Sequence, residues 1–177
     1  MNPLILDKSD FTKNNLMLKL ESYLLKIKDE NTIVFDIHNT IEYNDKEIDL
    51  ILFNFIKENY QKMNIVLLSY DGNDKRIGYN NNLLNEYSDI FKQIPKIFIK
   101  KRKKHHVIGY IAKLLKNKYG SYKNLLFVDD NFLNITDAKK LVTRLERFTI
   151  IHYTKHTKRK SPEGIENIEN ILNKFIK

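Results

Sequence analysis

The chain alternates between short apolar runs and longer segments in which apolar residues recur every three or four positions. The apolar runs are typical of strands buried on both faces, and the spaced residues indicate amphipathic helices. The pattern predicts strands at 31–36, 63–68, 95–99, 125–128 and 148–153. It predicts helices at 11–28, 48–60, 107–118, 137–145 and from Pro162 onward, with one more around Leu83, Leu84 and Tyr87. Residues 1–10 are predicted to be a loose lead-in, and 41–47 a short polar link.

The order of these elements predicts an α/β fold. Strands that alternate with helices favour a Rossmann-like parallel sheet, here of about five strands, with helices on both faces. A length of 177 residues and a hydrophobic share of 42% suit one domain with a substantial core. We expect residues 1–30 to form an N-terminal helical extension packed on a core domain of residues 31–177.

Charge and composition narrow the partners that the protein can have. The formal net charge of +9 favours anionic partners such as phosphoesters or nucleic acid. The chain has no cysteine, which excludes disulfides and thiolate chemistry. It shows no secretory leader and no apolar run of about 18 residues. We therefore expect a cytoplasmic protein without membrane contact, or a nuclear one in a eukaryotic host.

Four of the predicted strands run directly into polar residues. Asp36 follows the first strand, Ser69 the second, the basic run Lys100–Lys104 the third, and Asp129 and Asp130 the fourth. In a parallel sheet these residues share the carboxyl edge, where α/β folds bind ligands. Carboxylates without cysteine suit Mg²⁺ better than zinc, and a nearby lysine and hydroxyl would bind phosphate oxygens. The set predicts phosphoryl transfer, with Asp36 as the nucleophile.

Most of these residues also have a structural interpretation. An aspartate after a strand often only turns the chain, and basic runs are often solvated loops. Tyr70 and Tyr79 fit core or rim packing better than pocket lining. Four histidines could suggest zinc, but their cationic surroundings favour surface or structural roles; they are His105, His106, His152 and His156.

Taken together, the motifs resemble those of the haloacid dehalogenase (HAD) superfamily. The segment Phe-Asp-Ile-His-Asn-Thr-Ile at 35–41 resembles the first motif, and Leu-Leu-Ser at 67–69 the second. Lys104 stands where the third-motif lysine belongs, and Leu-Phe-Val-Asp-Asp-Asn at 126–131 is similar to the fourth. The order and spacing fit from residue 31 to the end of the chain. Within the superfamily, the later motifs are most similar to the magnesium-dependent phosphatase-1 branch and its FkbH-like relatives.

The resemblance implies a Mg²⁺-dependent phosphohydrolase that forms an aspartyl-phosphate on Asp36. It implies that Asp36, the backbone carbonyl of His38 and Asp129 ligate Mg²⁺. Asp130 would support the water shell of the metal.

It further implies that Ser69 and Lys104 bind phosphate. Lys103 is an alternative to Lys104, because a run of cations leaves the register open by one residue.

The chain departs from the superfamily at His38, where an aspartate normally acts as general acid and base. A histidine could do both, because its reference pKa is about 6.5. An imidazolium beside Mg²⁺ would, however, be disfavoured. Three outcomes stay open: an active phosphatase, a slow enzyme that accumulates phosphoaspartate, or a binding protein on the same scaffold.

The spacing of the motifs also predicts a minimal cap and an open site. Only about seven residues separate Thr40 from the next helix, and Ser69 to Pro95 leaves room for one or two helices. The basic runs Lys100–Lys104 and Lys155–Lys160 both follow strands and would flank the same edge. The alternative function is therefore a nucleic-acid end phosphatase, or a catalytically weak module that binds nucleic acid or protein.

Overall fold

A computed structural model describes residues 2–24, 31–43, 47–70, 84, 86–100, 103–120, 124–142, 145, 147–154 and 162–176. Its strands are β1 (Leu4–Leu6), β2 (Asn31–Phe35), β3 (Glu42–Tyr43), β4 (Glu47–Ile48), β5 (Asn64–Tyr70), β6 (Lys96–Ile99), β7 (Asn124–Asp129) and β8 (Phe148–His152). Its α-helices are α1 (Lys13–Tyr23), α2 (Leu50–Asn59), α3 (Asp89–Gln93), α4 (Lys104–Tyr119), α5 (Phe132–Val142) and α6 (Pro162–Ile176).

Six of these strands form one sheet in the order β1-β6-β5-β2-β7-β8. All its neighbouring strands are parallel. Strand β2 lies in the middle, with Phe35 in register with Leu67 of β5 and Val128 of β7. The α/β prediction is confirmed as a Rossmann-like parallel sheet, but with six strands rather than five.

The two faces of the sheet are covered by different helices. Alternate residues of each central strand point to opposite faces, so Val34 belongs to one apolar cluster and Phe35 to the other. Buried residues of α1, α4 and α5 complete the first cluster, and those of α2, α3 and α6 complete the second. Because both faces are covered, the middle residues of the central strands are apolar.

The N-terminal residues are not a loose lead-in. Leu4–Leu6 forms the edge strand β1, paired with Ile97–Ile99 of β6. The Tyr23 hydroxyl accepts a hydrogen bond from the Lys96 backbone N–H at 2.9 Å, which ties the end of α1 to β6. The prediction failed because three residues, of which only Leu6 is fully buried, are too few to show a strand pattern.

The described residues of the predicted polar link at 41–47, which are 41–43 and 47, also differ from the prediction. The short strands β3 and β4 pair there as an antiparallel ribbon. Asp49 follows the ribbon and caps α2 by accepting from the Ile51 and Leu52 N–H groups, each at 3.0 Å. It also accepts the Tyr43 and Tyr153 hydroxyls at 2.8 and 2.9 Å, which ties the ribbon to the chain after β8.

Two helices begin earlier than predicted. Helix α4 begins at Lys104 rather than at 107, and α5 begins at Phe132 rather than at 137. The predicted residues Leu83, Tyr79 and Lys155–Lys160 lie outside the described part of the chain, as do 101 and 102. None of the helices within the described ranges is both long and apolar enough to cross a membrane.

Candidate metal and phosphate site

The two central strands β2 and β7 bring the first two carboxylates together. Asp36 comes directly after β2, and its backbone N–H donates to the Val128 carbonyl of β7 at 2.9 Å. Asp129 is the next residue of β7 and its last. Because neighbouring parallel strands end at the same edge, the two side chains lie close together at the carboxyl edge of the sheet.

Three carboxylates and one ammonium group form the centre of this edge. Carboxylate oxygens of Asp36, Asp129 and Asp130 all lie within 4.8 Å of one another. The Lys104 ammonium donates to Asp36 Oδ1 at 2.5 Å and to Asp129 Oδ2 at 2.7 Å. Lys104 is the first residue of α4, so the positive end of the helix dipole lies at the same edge. The sequence left open whether Lys103 or Lys104 belongs to the site. In the structure it is Lys104 that lies among the carboxylates.

The other lysine has a different partner. Lys103 forms an ion pair with Asp137 of α5 at 2.8 Å, and Lys140 reaches the same carboxylate at 2.6 Å. Hydrogen bonds from these two lysines lower the pKa of Asp137 to about 2. Lys103 thus joins α4 to α5 at the surface.

The central groups are removed from solvent. Asp36 is 4% exposed, Lys104 2% and Asp129 0%. Burial raises the pKa of Asp36, and the adjacent Lys104 only partly offsets the shift. Burial and the charge of Asp36 raise the pKa of Asp129, and burial and the charge of Asp129 do the same for Asp130. Burial opposes the charge of Lys104, but Asp36 and Asp129 outweigh it and raise the pKa of Lys104.

The charges of this cluster fit a divalent cation. Three ionised carboxylates and one ammonium leave a net charge of −2. Oxygen ligands without sulfur suit a hard ion such as Mg²⁺. Because the carboxylates outnumber the lysine, an added cation would relieve the repulsion that remains between them. No second group of three closely spaced acidic or histidine side chains occurs in the described part of the chain.

Two neighbouring side chains hold the carboxylates in place. The Thr40 hydroxyl accepts from the Asp130 N–H at 3.1 Å and lies 3.4 Å from Asp36 Oδ2, so it bridges the loops after β2 and β7. The Asn134 amide donates to both oxygens of Asp129, at 3.2 and 3.1 Å. The sequence analysis missed Asn134. Asn134 precedes the predicted start of the helix at 137, and only the structure shows it as a buried amide in the first turn of α5.

His38 lies beyond Asp36 in a tight turn. The turn is closed by the N–H groups of Ile41 and Glu42, which donate to the Ile37 carbonyl at 3.0 and 2.9 Å. Asn39 adopts the left-handed region within it, with φ of 58°. Asparagine tolerates this conformation better than most residues.

The His38 ring contacts a carboxylate that the sequence analysis did not single out. Its Nδ1 lies 3.2 Å from Glu42 Oε2. The Glu42 side chain is fully buried, whereas that of His38 is 41% exposed. A carboxylate at Nδ1 favours the tautomer that carries its proton there and fixes the orientation of the ring. Glu42 was missed because the predicted polar link was expected to be solvated.

Three further side chains lie at or near this edge, those of Ser69, Tyr70 and His152. Phe35 is in register with Leu67, so Ser69 lies level with the turn that follows Asp36, and it is 2% exposed. The Tyr70 ring lies over Lys104, with Nζ 5.2 Å from the ring centroid. His152 Nε2 is 2.8 Å from the Asp130 backbone carbonyl, so His152 contacts the loop after β7.

Comparisons with known proteins identify no relative of the chain. Neither a protein-family model nor a curated protein nor a solved structure gives a significant match to the chain.

Proposed function

We propose that the protein is a Mg²⁺-dependent phosphohydrolase of the haloacid dehalogenase type, which cleaves phosphomonoesters through an aspartyl-phosphate on Asp36. The observation that carries the proposal is the cluster of Asp36, Asp129 and Asp130 with the Lys104 ammonium among them, at the carboxyl edge of a parallel sheet. Carboxylates, a lysine and a helix N-terminus in one place are the groups that phosphoryl transfer requires.

Asp36 is the nucleophile in the proposed reaction. One of its carboxylate oxygens bonds to phosphorus while the bond from phosphorus to the leaving oxygen breaks, and that oxygen takes up a proton. Water then attacks the phosphoaspartate, which releases inorganic phosphate and restores the carboxylate. We assign the attack to Oδ2, because Lys104 holds Oδ1 at 2.5 Å whereas the Thr40 hydroxyl lies 3.4 Å from Oδ2.

The other residues bind and orient the substrate. Mg²⁺, held by Asp36, Asp129, Asp130 and the His38 carbonyl, would supply positive charge to the transferring phosphate oxygens. Lys104 and Ser69 would bind the remaining oxygens. His38, oriented by Glu42, is the proposed proton donor and acceptor.

The test is hydrolysis of p-nitrophenyl phosphate with and without Mg²⁺. We expect turnover that requires Mg²⁺ and falls at least about 1000-fold in Asp36→Asn, because the variant lacks the nucleophile. Asp89→Asn is the matched control, since Asp89 is an exposed acid on α3 that pairs with Lys92, and its turnover should equal wild type. Equal rates in wild type and Asp36→Asn would refute the covalent mechanism.

The net charge of +9 favours a second candidate, in which the phosphate belongs to a nucleic-acid end or the site only binds nucleic acid. Binding of a 5′-phosphorylated oligonucleotide that weakens steeply with salt, and that persists in Asp36→Asn, would support it. If wild type is inert towards p-nitrophenyl phosphate but His38→Asp is active, a binding protein on an intact scaffold is favoured.

A further inference from the structure

Three large apolar side chains are exposed beside the carboxylate cluster. Tyr70 at the end of β5 is 39% exposed, and Phe132 and Leu133 in the first turn of α5 are 63% and 71% exposed. We call these three residues the apolar rim. They are three of the nine exposed large apolar side chains among the described residues. Tyr70 is the last residue of β5, and Phe132 and Leu133 follow β7, so all three lie close to strand ends at the site.

Tyr70 connects the rim to the centre of the site. Its ring lies over the Lys104 ammonium, at 5.2 Å from the centroid to Nζ. Its hydroxyl donates to Asn134 Oδ1 at 3.2 Å, and the Asn134 amide in turn donates to Asp129. The ring is therefore held next to the groups that would bind phosphate, and part of it stays open to solvent.

The first turn of α5 extends the rim on the side of β8. The Phe132 ring packs edge-on against His152, with 6.1 Å between centroids, and His152 contacts the Asp130 carbonyl. Leu133 lies between Phe132 and Asn134 in the chain, and its N–H donates to Asn131 Oδ1 at 2.9 Å. Both apolar residues are thus fixed within one helical turn of Asp129 and Asp130.

Isolated apolar residues on a surface are ordinary, but their concentration beside a polar site is typical of ligand binding. A stable protein interface buries about 800 Å² on each partner, whereas one aromatic ring buries about 150–250 Å². Three side chains next to an anion site therefore suit a ring attached to a phosphate better than a protein surface.

We propose that the apolar rim binds a planar apolar group carried by the phosphorylated ligand, so that the site selects phosphate compounds with an aromatic ring. The inference rests on the proposed function, because it takes the carboxylate cluster with Lys104 as the phosphate-binding site.

The test compares the binding of two phosphonates, which cannot be hydrolysed, by calorimetry in the presence of Mg²⁺. 2-Phenylethylphosphonate and ethylphosphonate have the same charged group and linker, so they differ only in the ring. We expect wild type to bind the phenyl compound about tenfold more tightly, because the ring buries apolar area on the rim.

A double variant of the rim tests the residues. In Phe132→Ser with Leu133→Ser, we expect the preference for the phenyl compound to fall below about threefold while the affinity for ethylphosphonate is unchanged. Val142→Ser is the control, because Val142 is 47% exposed at the other end of α5, and it should keep the wild-type preference. Thermal unfolding checks that all variants are folded. Tyr70 is left intact because it contacts Lys104.

The possible results distinguish the inference about the apolar rim from the proposed function. Equal wild-type affinities for the two phosphonates would overturn the inference and leave the proposed function standing. A preference that survives the double variant would also overturn it, since the proposed surface requires Phe132 and Leu133 as well as Tyr70. If neither phosphonate binds, the phosphate site itself is wrong and both proposals fail.

Discussion

Two buried lysines at the central sheet have different partners. Lys104 lies at the carboxyl edge and is 2% exposed, and Lys96, the first residue of β6, is fully buried. Lys104 contacts two carboxylates, whereas the Lys96 ammonium contacts the Phe91 and Ile94 carbonyls beneath the end of α3. The pKa of Lys104 is raised by its acidic partners, and burial lowers the pKa of Lys96 to about 8.

The two edges of the sheet also differ in their polar groups. The amino edge contains neutral pairs, with the Asn64 amide donating to Thr32 Oγ1 and the Asn124 amide to Asn31 Oδ1, each at 3.1 Å. The carboxyl edge instead gathers three acids whose pKa values are raised. Satisfied neutral pairs stabilise a fold, whereas clustered charges with perturbed pKa values are typical of binding sites. The comparison therefore supports the carboxyl edge as the place of the proposed function.

The largest expected effect comes from removing the ammonium at the carboxyl edge. Lys104→Met leaves Asp36 and Asp129 buried without their partner, so we expect the metal-free protein to lose about 3–5 kcal/mol of unfolding free energy. Mg²⁺ should restore part of this loss, because it supplies the missing positive charge. Urea unfolding with and without Mg²⁺ measures both effects.

Lys103→Met is the matched control for that variant. Lys103 is 57% exposed and pairs with Asp137, so its loss should cost less than about 1 kcal/mol. A Lys104→Met protein as stable as the control would show that the carboxylates do not depend on the buried lysine.

A smaller effect of opposite sign is expected at Lys96. The folded pKa of Lys96, about 8, lies below the ordinary 10.5, so the unfolded chain binds more protons between these values and wild-type stability rises with pH there. At pH 7 the buried charge costs up to about 3 kcal/mol. Lys96→Met should therefore be more stable than wild type at pH 7, and this advantage should shrink towards pH 10.5. Urea unfolding across that range measures it, and parallel pH profiles would contradict it.

The smallest expected effect compares one asparagine from each edge. Asn134→Ala removes the amide that orients Asp129, so we expect Mg²⁺ affinity to fall about tenfold with a stability loss near 1 kcal/mol. Asn124→Ala should cost similar stability and leave Mg²⁺ affinity unchanged, because Asn124 bonds to Asn31. Calorimetric titration measures the Mg²⁺ affinity of both variants. Equal affinities would contradict the prediction that only the carboxyl edge binds Mg²⁺.

The central strands and the strand-end acids could be predicted from sequence for one physical reason. A strand buried on both faces is a continuous apolar run, and the first polar residue after it marks the edge. Asp36 and Asp129 both follow that rule. Strand β1 could not be predicted, because its position depends on β6, which is far away in the sequence.

The residues that support the site were harder to predict. Glu42 belongs to a charged stretch that suggests exposure to solvent, yet it is buried and contacts His38. The exposed Phe132 and Leu133 broke the amphipathic pattern, so the start of α5 was placed too late. Asn134 reaches Asp129 only because that first helical turn brings it back towards the strand end.

The pairing of β1 with β6 also affects the order of assembly during synthesis. Leu4 pairs with Ile97, 93 residues later, whereas Thr32 in β2 pairs with Asn64 of β5. At about 5–20 residues per second, the partner of β1 is made roughly 5–20 s after β1 itself. Strand β1 is therefore synthesised before the other described strands but cannot pair until β6 has been made. The β2–β5 pair at the centre of the sheet can form while Leu4–Leu6 still has no neighbouring strand.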